Sequence, residues 1–264
     1  MISVRPVIAA WPLPRLSSDT ESRIDLAVNA LQQVPPFDPL ELPICVQANA
    51  VRWSKRLSHE LSETLVKRSG WPPCAPQHSR HEMQALQRHE SQRISMDVAS
   101  LIRLNISLTG PSGGLRRGDA CIAGDPIVSI KLCDAVVAMK ETVALLEHKR
   151  PRPPKLAFAA AVHELVCLNN YHPFRDGNGR TSRALFNLRM REIGLPVTAY
   201  LPLKELFWVA RGGYQIRLRI AEIYGDWTPI VDFFCEVVQI AALWPRPGAR
   251  ESPGLTAMPS LSML

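Results

Sequence analysis

From Leu156 to Leu168 the chain is apolar on nearly every side (LAFAAAVHELVCL). A helix with that pattern has no face to offer to water, so it must run through the middle of a helical domain with partners all round it. This segment, read as a helix over 155–170, constrains the fold more than any other. Its start is marked by the proline-rich stretch at 151–154 and its end by Pro173, which disfavours helical geometry at His172.

The remaining periodic segments supply those partners. Residues 20–33 carry Ile24, Ala27, Ala30 and Leu31 at helical spacing, and residues 46–68 place Ala50, Leu57, Leu61 and Leu65 on one side. Residues 80–108 read as a helix with polar faces, and 128–148 as an amphipathic one. Further helices are predicted over 180–193, 203–223 and 228–243, the first of them stopped by Gly194 and Pro196. Residues 70–78 read as a loop and Thr109-Gly-Pro-Ser-Gly-Gly as a turn. Residues 115–124 (LRRGDACIAG) suit two short extended pieces or a hairpin. The expected architecture is therefore all-α with at most one small hairpin. The boundaries expected are a helical N-terminal region over 1–108, a core domain over 109–243, and a disordered tail over 244–264 rich in Pro, Ser and Gly.

Composition narrows the functional classes. The six cysteines are scattered with no CxxC pair, and Cys133, Cys167 and Cys235 lie in apolar runs where a thiol acts as a small hydrophobe. That pattern fits a reduced compartment better than a disulfide scaffold. The opening residues MISVRPVIAAWPLPRLSS are too short and too broken by proline for a membrane span, and they lack a convincing cleavage site. The reading is cytoplasmic, with no membrane; a secretion route that needs no cleaved signal would leave no trace. The net charge of +7 admits three readings: a basic surface without a dedicated partner, nucleic acid, or an anionic substrate such as a nucleotide. The arginines are spread along the chain, without zinc-finger or basic-zipper spacing, which weakens a specific nucleic-acid partner.

Chemistry concentrates in His172-Pro-Phe-Arg-Asp-Gly-Asn-Gly-Arg-Thr-Ser-Arg183, directly after the buried helix. Two glycines around Asn178 supply the backbone angles that turn successive N–H groups into one concavity, and this opens onto the start of the helix near Arg180. Free N–H groups and the helix dipole favour an anion there. Arg180 and Arg183, three residues apart, point the same way from that first turn and suit a polyphosphate. Asp176 is a hard oxygen ligand suited to Mg²⁺ against the phosphates. The His172 imidazole at the mouth of the site is suited to take a proton from an incoming hydroxyl. Nucleotide, metal and base together imply transfer of a phosphorus group. The bland alternative is a helix–loop–helix turn with capping side chains and solvated arginines, which the convergence of these groups within twelve residues disfavours.

This segment resembles the signature of the Fic family, H-x-F-x-[DE]-G-N-G-R-x-x-R, without a departure. Residues 115–124 look like the family's flap, a hairpin that docks the target's extended segment, and 203–239 resemble its closing helices. The resemblance implies a helical bundle with a small β-hairpin beside the active site. It also implies ATP as substrate and Mg²⁺ as cofactor, with AMP passed to a Ser, Thr or Tyr hydroxyl of a target protein and pyrophosphate released. By the same resemblance His172 is the base, Asp176 the metal ligand, and Gly177, Asn178 and Gly179 the anion hole. Arg180 holds the β-phosphate, Arg183 the γ-phosphate, and Phe174 is a structural anchor. The related Doc kinases carry Lys where this chain has Gly179, which favours AMP transfer. Two rival readings share the fold: removal of AMP from a target, and a nucleotide-binding scaffold.

Many members of the family restrain themselves with a glutamate in [ST]-x-x-x-E-[GN], which pairs with the second signature arginine, here Arg183. In this chain the only such spacing is Ser17 to Glu21, followed by Ser22 where Gly or Asn is expected. Glu60 and Glu63, beside the helix at 46–68, lack the motif. The expectation is a lost or unrecognisable restraint. His163-Glu164 and His81-Glu82 invite a metalloprotease reading, but neither has a second His at HExxH spacing. Tyr214 suits core packing or a place near the nucleotide, and Trp227, Phe233 and Phe234 suit the core. Residues 1–108 are open to docking or dimer contacts, and neither the target nor the oligomeric state is readable.

Overall fold

The computed structural model describes residues 3–4, 16–64, 79–91, 97–118, 121–122, 129–131, 134–147 and 153–244. Among these the architecture is all-α: α1 (Ser18–Leu31), α2 (Leu42–Leu57), α3 (Ser79–Ser91), α4 (Val98–Thr109), α5 (Ala135–Glu147), α6 (Pro154–Tyr171), α7 (Asn178–Glu192), α8 (Leu203–Val209), α9 (Gly213–Tyr224) and α10 (Thr228–Ala242). The expected tail beyond Trp244, the loop over 70–78, residues 119–120 and 123–124 of the expected hairpin, and Cys133 lie outside the described residues.

The all-round apolar segment is α6, and it is central. Phe158, Val162, Leu165, Val166 and Leu168 are each 0–1% exposed. Burying one such side chain contributes about 1.5–3 kcal/mol, and here successive ones face different neighbours. Helix α1 packs along α10 and α6, and α7 also packs along α6. Ile24 and Leu31 of α1, Trp53 and Leu57 of α2, Phe186 of α7 and Phe234 of α10 share one apolar cluster with α6. Trp227, Phe233 and Phe234 are buried as expected. Tyr214 is also core, stacked on Phe207 with ring centroids 3.9 Å apart. Cys167 and Cys235 are buried free thiols in the same interior.

Helix ends follow local chemistry. Ser17 caps α1 by accepting the Thr20 N–H at 3.1 Å, with Asp19 and Glu21 in the first turn favoured by the helix dipole. Ser17 and Glu21 thus belong to a helix start and not to a restraining motif. Proline at the first turn opens α6.

Four expected elements differ. The helix read over 80–108 is two, α3 and α4, the second capped by Asp97, whose side chain accepts the Ser100 N–H at 2.7 Å. The segment 203–223 is also two, α8 and α9, because Arg211 and Gly212 take left-handed angles (φ 49 and 91). Helix α2 ends at Leu57 instead of running to 68, where the guanidinium of Arg217 gathers the carbonyls of Leu57 (2.9 Å) and Ser58 (3.1 Å). The helix read over 128–148 starts only at Ala135. Before it, Ser129–Lys131 is extended and pairs antiparallel with Cys121–Ile122 and parallel with Ser3–Val4. A helical count does not separate so short an extended piece from the helix that follows it.

Candidate active site

Helix α6 ends at His172, whose backbone is left-handed (φ 50, ψ 54) and whose N–H still reaches Leu168 O at 3.1 Å. Pro173 forbids another helical turn, so a non-glycine residue accepts a strained conformation that costs on the order of 1–3 kcal/mol. The buried Arg116 offsets it by gathering the carbonyls freed at the helix end, His172 O at 2.6 Å and Tyr171 O at 3.3 Å. The His172 ring sits with Nδ1 3.1 Å from Asn169 O. A carbonyl only accepts, so Nδ1 carries the proton and the neutral ring keeps its lone pair on Nε2. Burial lowers the imidazole pKa from 6.5, the Asn169 carbonyl raises it, and the Arg116 charge lowers it further, with a net fall. At neutral pH the ring is therefore a free base with a fixed tautomer.

The following turn is closed by Asn178. Its side chain accepts the Phe174 N–H at 3.0 Å and donates to Phe174 O at 2.9 Å. Phe174 itself is 1% exposed and bridges to Leu115, while Arg116 N reaches Pro173 O at 3.0 Å and Arg175 N reaches Gly114 O at 2.9 Å. Gly177, at φ 75, then starts α7, and its carbonyl receives the first helical bond from Thr181 at 2.8 Å. The amides of Asn178, Gly179 and Arg180 precede any helical acceptor and suit an anion. A Cβ on Gly177 would run into Cγ2 of Thr109, on a left-handed backbone that already favours glycine. The Asn178 side chain is spent on the turn and leaves only its backbone for a ligand.

Asp176 and the two arginines are arranged differently from the sequence reading, which points Arg180 and Arg183 the same way. Arg180 donates to Asp176 Oδ2 at 2.8 Å and to Leu108 O at 2.9 Å. Arg183 turns instead to the fully buried Glu82 of α3, its Nε lying 3.1 Å and 3.3 Å from the two carboxylate oxygens, with a further bond from Nη2. Tyr200 donates its hydroxyl to the same carboxylate at 2.7 Å. The two guanidiniums thus have separate partners. Burial opposes ionisation of Asp176, but Arg180, the Gly177 N–H and the Ser112 hydroxyl outweigh it and hold the carboxyl below its usual range. With its side chain 49% exposed, Asp176 remains open to a cation. Among the described residues no three His, Cys, Asp or Glu side chains gather into a metal cluster. A Mg²⁺ on Asp176 would share its coordination with phosphate and water oxygens, the habit of that ion.

Two residues at the site were not assigned to it by the sequence reading, which weighed Glu82 only in the rejected His81-Glu82 pair. Glu82 lies in Ser79-Arg-His-Glu, outside the expected motif spacing, and is 0% exposed. The three glutamates weighed for the restraint are elsewhere: Glu21 lies 3.4 Å from Lys155, and Glu60 and Glu63 are exposed. Asn105 of α4 is also 0% exposed, and a polar residue beside Leu101, Leu104 and Leu108 on one helical face was the available signal. Residues set aside are structural: His163 contacts Cys167 Sγ at 3.3 Å, and Glu164 pairs with Arg189 at 2.7 Å and 3.1 Å. Among the described residues no helix is long and apolar enough to cross a membrane.

The fold has counterparts among solved structures. A crystal structure of a Fic family protein from Desulfovibrio desulfuricans G20 superposes with TM-score 0.59 at 18% identity, over 88% of this chain and 75% of that one. The crystal structure of IbpAFic2 covalently tethered to Cdc42 superposes with TM-score 0.50 at 14% identity, over 86% and 72%. No curated protein matches the chain in sequence. Residues 95–190, from the start of α4 to the end of α7, match the family described as Fic/DOC family. Over that segment, which carries the signature near its end, the chain is similar to the Fic/DOC family.

Proposed function

We propose that the chain transfers AMP from Mg-ATP to a hydroxyl group of another protein and holds itself in check through Glu82. The observation that carries the reading is His172: its tautomer is fixed by Asn169 O, its Nε2 is left basic, and its charged form is disfavoured. A protein that only binds nucleotide has no need of such a ring. In the reaction Nε2 takes the proton of the target hydroxyl, whose oxygen attacks the α-phosphorus as the bond to the pyrophosphate oxygen breaks. The amides of Asn178 and Gly179 and the Arg180 side chain stabilise the charge that gathers on the phosphates. Mg²⁺ held by Asp176 would neutralise further phosphate charge. Arg180 must then exchange Asp176 for phosphate. The segment 115–124, part of which lies outside the described residues, would serve as the flap that aligns the target's chain.

Glu82 occupies the guanidinium that the family resemblance gives to the γ-phosphate. With Nε and Nη2 of Arg183 bonded to Glu82, the carboxylate takes the same donors that a γ-phosphate would, which supports reading this arrangement as a restrained one. Glu82 also favours a second reading, removal of AMP from a target, in which this glutamate aligns a water. ATP labelled at the α-phosphate, incubated with Mg²⁺, lysate and either wild type, Glu82→Gly or His172→Ala, separates these. Transfer raised by Glu82→Gly and abolished by His172→Ala supports the proposal. Equal labelling by wild type and His172→Ala refutes the base assignment. Label lost from pre-modified protein on adding wild type, but not Glu82→Gly, favours removal.

A further inference from the structure

The buried Asn105 side chain holds three separate parts of the chain together. Nδ2 donates to Asp176 O at 2.9 Å and to Thr181 Oγ1 at 3.0 Å, while Oδ1 accepts the Gly114 N–H at 2.8 Å. Those groups lie on the loop before α7, on the first turn of α7, and on the extended piece that pairs with Phe174. The packing allows little play. An added Cβ on Gly113 would meet Asn105 Oδ1 at 3.0 Å, and one on Gly177 would meet Nδ2 at 3.1 Å. The amide thus packs against two glycines, and a Cβ on either would press on it. Its own carbonyl is tied by the Thr109 hydroxyl at 2.7 Å. A buried amide satisfied on both ends by backbone of distant segments sets their relative positions, since each broken bond would strand a polar group and cost about 1–3 kcal/mol.

We propose that Asn105 is a positioning residue that locks the Asp176–Thr181 turn to the Gly114–Leu115 segment, so that metal ligand, anion-binding amides and target-docking segment share one register. This rests on the functional reading above, which assigns those groups their ligands. Asn105 touches no reacting atom; it acts through the backbone of Asp176, as an outer partner acts on a metal ligand. Its removal should therefore weaken Mg²⁺ and nucleotide together, where a loss of folded protein alone would lower the active fraction and leave the affinities unchanged.

The test uses the full chain carrying Glu82→Gly, so that Arg183 is free, with and without Asn105→Ala. Asn105→Asp is the companion variant: it can still accept from Gly114 but no longer donates to Asp176 O or Thr181. Affinity for Mg²⁺ with a non-transferable α,β-methylene ATP is read by calorimetry, corrected for the folded fraction. Both Asn105 variants should bind about 10- to 100-fold more weakly than their parent, with a matching rise in the Mg²⁺ concentration needed for half-saturation. Unchanged affinity in folded Asn105→Asp overturns the inference. If the parent binds the analogue but never labels protein, the functional reading fails while this measurement still decides the role of Asn105.

Discussion

Replacing Glu82 with alanine removes the carboxylate that Arg183 and Tyr200 share. Arg183 is only 7% exposed, so its charge is left buried without its partner. Breaking a buried pair from one side costs about 3–5 kcal/mol, which for a chain of this size lowers the midpoint by roughly 6–20 °C. The same change frees Arg183 for phosphate. A hydrogen bond to a charged group contributes about 1.5–3 kcal/mol, equivalent to roughly 10- to 100-fold tighter nucleotide. The variant is therefore predicted to be less stable alone and more strongly stabilised by Mg-ATP than the wild type. Thermal unfolding with and without Mg-ATP, with calorimetry on the folded protein, measures both. A folded variant that binds ATP no tighter than wild type would refute the view that Glu82 and the γ-phosphate compete for one guanidinium. Preserved stability would refute the buried-pair account.

Further predictions concern single groups. His172 has a lowered pKa, so transfer should be on its plateau at pH 7 and fall only as pH drops through a midpoint below 6.5; a midpoint above 6.5 would contradict the environment described. Glu205 is buried on α8, where it accepts the Ser79 N–H and hydroxyl at the start of α3 and faces Glu82, Arg183 and Lys204. Burial raises its pKa from 4.5 to about 7, so its contribution to stability is full below 4.5 and is lost as pH rises to 7, about 3 kcal/mol in all. Urea unfolding should show the wild type losing about 3 kcal/mol relative to Glu205→Gln as pH rises across that window, and a constant difference would count against it. Gly177→Ala combines a left-handed backbone with a collision against Thr109 and should destabilise by at least about 2 kcal/mol; a loss under about 0.5 kcal/mol, read by the same method, would mean the turn is looser than described.

What was legible in the sequence was whatever rests on local pattern. The all-round apolar run gave α6 because burial on every side leaves only one place for it. The glycines of Gly177-Asn-Gly179 and the break at Pro173 gave the turn because backbone sterics act within a few residues. The pairings across the chain were not legible. Glu82 meets Arg183 from a helix 101 positions away in sequence, and no spacing rule reports a meeting made by tertiary packing. The divergence of Arg180 and Arg183 has the same origin: their helical offset places them on one face, but Asp176 and Glu82 decide where each guanidinium goes. Asn105 was hidden because one polar residue among leucines reads as an imperfection of the apolar face until its three partners are seen.

The central claim is that a restrained phosphorus-transfer site lies between α6 and α7. Full-length Glu82→Gly protein, given Mg²⁺ and ATP labelled at either the α- or the γ-phosphate, tests it most directly. The α label should appear on protein, pyrophosphate should be released, and adding His172→Ala to the same chain should abolish both. Label from the γ-phosphate on protein, or α label that survives loss of His172, would contradict it.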